Sequence, residues 1–147
     1  MKRLTWPVMT VVLIAAAALS TFWASTAPAQ PKPHQTSQRL AVLWASGDPE
    51  VAHRVCLMYT QYAQQSGDYS KVLLIVWGPS SRLLAADKDL QTKLKKMMKQ
   101  GLPVEACVVC ADAYGVSDQL RNIGITVKPM GPPLTNMLQA GYHVLTF

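Results

Sequence analysis

The run Lys71-Val72-Leu73-Leu74-Ile75-Val76-Trp77 constrains this chain more than any other stretch. It is apolar without a break after its first residue, where a strand with one wetted face would alternate. Continuous hydrophobicity over this length marks a strand buried on both faces, as in a parallel sheet. Gly78-Pro79-Ser80-Ser81 follows at once and reads as a turn directly into a helix. Leu40 to Trp44 has the same continuous character and is followed by Ser46-Gly47-Asp48-Pro49, with Asp48 placed to cap a helix that starts at Pro49.

The segments between such runs carry helical spacing. Val51, Ala52, Val55, Cys56, Tyr59, Tyr62 and Ala63 define an apolar side for the first helix, ended by Gly67. Leu83, Leu84, Leu90, Leu94, Met97 and Met98 do so for the next, with a break near Asp87 and a stop at Gly101 and Pro103. A third strand is expected over Val104 to Val109 and a short helix over Val116 to Asn122. A fourth strand follows at Ile125 to Val127, a helix at Leu134 to Ala140, and a fifth strand at His143 to Phe147. Strict alternation of strands and helices predicts an α/β domain, a mainly parallel five-stranded sheet with helices on both faces.

The first 29 residues obey a different logic. Lys2 and Arg3 precede an apolar run from Val8 to Ala18, and Ala27-Pro28-Ala29 supplies the small-x-small pattern of a signal peptidase site. This is the layout of a secretory signal, with cleavage expected after Ala29; the rival reading is an uncleaved anchor, but even extended to Trp23 the run is short for a bilayer span, which needs about 20 residues. The expected organisation is therefore a signal at 1–29, a polar proline-containing leader at 30–39 and one domain at 40–147. The mature protein is expected in the periplasm, with no stable membrane insertion.

The whole chain of 147 residues has a formal net charge of +6. Much of the excess falls on Lys88, Lys93, Lys95, Lys96 and Lys99, on one predicted helix without interleaved aromatics. A solvated helix face accounts for them, and no nucleic-acid partner is implied. No cofactor is implied either: there is no Walker lysine, no G-x-G-x-x-G and no nucleophile elbow.

Chemistry concentrates in Glu105-Ala106-Cys107-Val108-Val109-Cys110-Ala111-Asp112-Ala113-Tyr114-Gly115. A Cys-x-x-Cys pair can form a disulfide, ligate a metal or carry sulfur. Zinc would want a second ligand pair, and Cys56, His53 and His143 are scattered without ligand-like spacing. In an open α/β sheet, ligands bind beyond the carboxyl ends of the strands. The loops there are Ser46–Asp48, Gly78–Ser81, Cys110–Gly115 and Met130–Thr135. Cys110 and Cys107 are thus the candidate reactive residues. Gly78 and Ser80 are candidates for holding an anion at a helix start, and Asp112 and Tyr114 for orienting a ligand. Cys56 reads as core.

Trp77-Gly78-Pro79-Ser80, Ala106-Cys107-x-x-Cys110-Ala111-Asp112-x-Tyr114-Gly115, Met130-Gly131-x-x-Leu134-Thr135 and Val144-Leu145-Thr146-Phe147 occur in the order found in the DsrE/DsrF-like family. The chain resembles that family over residues 40–147. The resemblance implies a three-layer α/β/α fold and a homo-oligomer, a trimer or hexamer. It also implies a persulfide-carrying cysteine in this loop. Sulfur-relay relatives place it eight residues before a glycine, which corresponds to Cys107; others have a second cysteine five before it, which corresponds to Cys110. Relatives commonly carry Arg just before that glycine, where this chain has Tyr114.

Two functions follow as expectations. One is a thiol site for persulfide transfer or thiol redox, with a sulfur-donor or redox partner protein. The other is a non-catalytic module binding a small ligand or metal. An exported vicinal pair meets an oxidising compartment, in which a disulfide can form.

Overall fold

The computed structural model describes residues 38–147, so the expected signal sequence and nearly all of the leader lie outside the described residues. Five strands form one sheet: β1 (Arg39–Trp44), β2 (Lys71–Val76), β3 (Val104–Cys107), β4 (Thr126–Lys128) and β5 (His143–Thr146). Their order is β4-β3-β2-β1-β5, and every neighbouring pair is parallel. The two continuously apolar runs, β1 and β2, are the central pair, in register from Arg39 opposite Lys71 to Trp44 opposite Val76.

Strand order decides where the helices go. Stepping from β1 through β4 always moves in one direction, so right-handed crossovers place all the intervening helices on one face. These are α1 (Pro49–Val51), a π-helical segment (Ala52–Cys56), α2 (Leu57–Ser66), α3 (Pro79–Ala86), α4 (Lys88–Lys99), α5 (Val108–Ala113) and α6 (Ser117–Asn122). The return from β4 to β5 runs the other way and, among the described residues, leaves α7 (Gly131–Gln139) alone on the opposite face. Side-chain packing divides accordingly. Leu40, Val42, Trp44, Val72, Leu74 and Val76 meet Leu57, Leu84, Leu90, Leu94, Met97 and Leu120 in the main core. Ala41, Leu73, Ile75, Cys107 and Met130 form a smaller cluster on the second face.

Capping follows the sequence. The Asp48 carboxylate accepts from the N–H groups of Glu50 (2.7 Å) and Val51 (3.1 Å), with Pro49 in the first turn. Asp87 makes the break between α3 and α4: its N–H donates to the Leu83 carbonyl, and its carboxylate accepts from Asp89 and Leu90 N–H, each at 2.9 Å.

Two local expectations are corrected. The buried side of the first helix holds Ala52, Cys56, Leu57, Thr60 and Ala63, whereas Val55 is 42 % and Tyr62 59 % exposed. The π turn at Ala52–Cys56 adds a residue to one helical turn and shifts the phase of everything after it. That shift turns Leu57 and Thr60 inward. The third strand ends at Cys107 rather than Val109, and α5 begins at Val108. Short apolar runs do not distinguish a strand end from a helix start by periodicity.

Candidate functional site

Side chains of β3 alternate between the two faces. Val104 and Ala106 join the main core, while Cys107 turns to the second face, 4 % exposed among Ala41, Leu73, Ile75 and Met130. Glu105 accepts a 2.7 Å bond from Lys128 Nζ of β4, and its second oxygen is buried without a partner. Cys107 is the N-cap residue of α5 in extended conformation, and its thiol makes no capping bond. Cys110, one turn on, is half-buried against the same cluster. The strand end and the helix start therefore bring both thiols to one side of the sheet.

The β2 exit supplies the rest of the setting. Gly78 sits at φ 66°, ψ −133°, a region open in practice to glycine alone, and its N–H donates to the Cys110 sulfur. A Cβ there would meet nothing within 4 Å, so backbone conformation and not space demands glycine. Burial pushes the Cys110 thiol above its ordinary value, the neighbouring Cys107 thiol pushes it further, and the Gly78 N–H pulls the other way. Cys110 is thus a protonated thiol at neutral pH, with one backbone donor placed to stabilise its anion. Cys56, fully buried in the main core, is raised to about 12, chiefly by burial.

The remaining candidates divide. Ser80 is fully buried: its hydroxyl donates to the Trp44 carbonyl (2.6 Å) and accepts from the Trp77 N–H (3.0 Å). It ties the ends of β1 and β2 together and presents no surface to a ligand. The Asp112 carboxylate accepts from the Ser117 hydroxyl, bracing the α5–α6 turn. Tyr114 is exposed, and the Arg82 guanidinium of α3 lies over its ring, 5.3 Å from the centroid. The structure therefore brings together Cys107, Cys110 and Gly78, with Met130 behind them, and sets Tyr114 beside Arg82.

Arg82 went unnoticed in the sequence. Nothing in a helical Ser-Ser-Arg-Leu marks it, because its relevance comes from α3 packing beside α5. His53 pairs with Asp87 at 3.2 Å, and His143 is exposed on β5. Among the described residues no three His, Cys, Asp or Glu side chains are grouped to hold a metal. Two clefts, of about 320 Å³ (lined by Gln64, Tyr69, Lys71 and Pro103 among others) and about 310 Å³ (Lys88, Gln91, Gln119, Asn122), do not touch the thiol pair.

A parallel α/β sheet with a dithiol where the third strand gives way to a helix defines a class of thiol-bearing α/β domains. The chain belongs to the DsrE/DsrF-like family, whose model matches residues 54–147. It is similar to a solved conserved protein of unknown function from Bacteroides thetaiotaomicron, at 33 % identity and a TM-score of 0.71, covering 75 % of this chain and 95 % of that one. The ychN protein from E. coli (19 % identity, TM-score 0.60, covering 75 % of this chain and 99 % of that one) shares the fold. So does a protein of unknown function from Methanobacterium thermoautotrophicum (18 %, TM-score 0.57, covering 75 % and 99 %). No curated protein matches significantly.

Proposed function

We propose that this chain is an exported thiol protein in which Cys110 takes up sulfane sulfur as a persulfide, with Cys107 beside it. The observation that carries the reading is the juxtaposition of the two thiols on one face, with the Gly78 N–H on the Cys110 sulfur. Of the pair, Cys110 is the accessible one, and a nucleophile must be reached by its donor. The raised thiol makes uptake faster at alkaline pH, because only the thiolate attacks. Arg82 supplies, from α3, a positive charge near the loop where relatives commonly carry Arg in place of Tyr114. It suits anionic donors such as thiosulfate or polysulfide. Mass spectrometry after exposure to polysulfide tests the assignment in a Cys107→Ser chain: an adduct of about 32 Da is expected on Cys110 and is lost when Cys110→Ser is added. Adduct formation undiminished by that substitution would remove Cys110 from the role.

Export and assembly belong to the same proposal. Lys2, Arg3, the apolar run and Ala27-Pro28-Ala29 support cleavage after Ala29 and a periplasmic mature chain. Among the described residues no helix is long and apolar enough to cross a membrane. N-terminal sequencing of the protein recovered from fractionated cells should begin at Gln30. The second sheet face supports a homo-oligomer, trimer or hexamer: α7 buries none of its residues fully, and Leu43, Trp77, Val144 and Leu134 are only partly covered. Light scattering giving a monomer mass at working concentrations would count against assembly.

A further inference from the structure

Two thiols this close have a consequence that one thiol would not. We propose that Cys107 discharges the sulfur taken up by Cys110, so that the site reduces sulfane sulfur to sulfide and closes a Cys107–Cys110 disulfide. This rests on the reading of Cys110 as the residue that takes up sulfur, and it names the product of that same site.

Position and burial assign the roles. Cys107 is the last residue of β3 and Cys110 lies three residues on, in the first turn of α5, so their side chains project to neighbouring positions. Both pack in the cluster with Ala41, Leu73, Ile75 and Met130. Cys107 is too buried to meet an external partner, at 4 % exposed. Its thiol caps no helix N–H. The adjacent Cys110 sulfur is the group it faces. The thiol is a reductant held against one target.

The steps balance. The Cys110 thiolate attacks the sulfane sulfur of thiosulfate; an S–S bond forms, the donor's S–S bond breaks, and sulfite leaves with the electron pair. With polysulfide as donor, the shortened polysulfide leaves instead. Cys107 then passes its proton to the outer sulfur of the persulfide, and its thiolate attacks the inner, Cys110 sulfur. The new bond joins the two cysteine sulfurs, and the outer sulfur leaves as hydrosulfide, carrying the pair of electrons. Two cysteine sulfurs are oxidised to a disulfide and one sulfane sulfur is reduced to sulfide. Hydrosulfide is a better leaving group than an alkyl thiolate because its conjugate acid is stronger. The attack is intramolecular between positioned groups, which favours it over transfer to a thiol in solution. A further cycle requires an external dithiol reductant to reopen the disulfide.

The test compares the reduced full-length protein with Cys107→Ser, with Cys107→Ala as a second variant in case a buried serine hydroxyl disturbs the fold. Cys56 stays in every chain. Each protein is exposed to sodium tetrasulfide and desalted. The sulfide set free is trapped with a bimane reagent and scored against the Cys107→Ser/Cys110→Ser chain. The wild type should lose about 2 Da, matching a disulfide, retain no added sulfur and release about one equivalent of sulfide per chain. Each Cys107 variant should instead keep an adduct of about 32 Da on Cys110 and release none above the control. A wild type that holds the adduct as stably as the variants, or forms the disulfide with no sulfide above control, overturns discharge and leaves uptake standing. Variants that take up no sulfur, beside a wild type that releases none, overturn the uptake reading and discharge with it.

Discussion

Among the described residues, one face of the sheet is covered by six α-helices and a π turn, and the other by α7 alone. The first face holds Trp44, Leu57, Leu74, Leu84, Leu90, Leu94 and Leu120 without exposure; the second holds a small cluster edged by half-covered Leu43, Trp77 and Val144. The cysteines divide along the same line. Cys56 is sealed in the main core, while Cys107 and Cys110 sit on the thin face. Most of the fully buried apolar side chains lie on the face away from the thiol pair.

Four experiments would break or sharpen that contrast. The largest effect is expected from Leu94→Ala, which opens a cavity in the main core and should cost roughly 2–5 kcal/mol in urea unfolding. Leu134→Ala on α7, only partly covered in the isolated chain, should cost about 1 kcal/mol or less by the transfer of its exposed-to-buried area. Equal losses would erase the distinction between the faces.

The second experiment uses pH. The Cys56 thiol ionises near 9.0 in the unfolded chain and at about 12 when folded. Between those values the unfolded state releases a proton that the folded state retains, so stability is full below about pH 9 and falls as pH rises towards 12. The loss should reach a few kcal/mol on the order of the shift. Cys56→Ala should flatten the decline in melting temperature over that window by removing its contribution. An unchanged slope would show that Cys56 is not sealed.

Gly78→Ala comes third. A side chain at φ 66° costs about 1–3 kcal/mol in backbone strain. Relaxation of that turn withdraws the N–H from the Cys110 sulfur, so the pH profile of Cys110 alkylation should move to higher pH while Cys56 stays inert. A stability loss with no movement of the profile would separate the turn from the thiol. The smallest effect on stability belongs to Arg82→Ala, whose exposed contact with Tyr114 contributes about 0.5–1 kcal/mol. Its stronger signature should be kinetic: sulfur uptake from anionic thiosulfate slows several-fold, while alkylation of Cys110 by neutral iodoacetamide does not. Equal slowing of both would assign Arg82 to the loop's structure.

Most of the fold was legible because its signals are local. Continuous apolar runs specified β1 and β2, Asp48 and Asp87 announced their helix starts, and alternation of elements predicted a parallel sheet, observed with every pair parallel. The three-layer arrangement implied by family resemblance is present, with unequal layers. What sequence did not reveal depends on contacts or on phase. A π turn leaves no mark in a hydrophobic pattern, so Val55 and Tyr62 were expected inside. The burial of Ser80 follows from its reach to the Trp44 carbonyl, 36 positions away in sequence. The thiol pair was legible as a motif. Its placement across a strand end and a helix start, and the approach of Arg82, required the packed structure.

The π turn at Ala52–Cys56 also acts as a vernier between two halves of one helix. Deleting a single residue within it would return the helix to uniform pitch and rotate everything downstream by about 100°. Val55, Met58 and Tyr62, now an outward apolar stripe, would exchange places with part of the row that faces the sheet. One codon thus separates two surfaces written into the same stretch, and the length of this segment, more than its composition, chooses which of them the solvent meets.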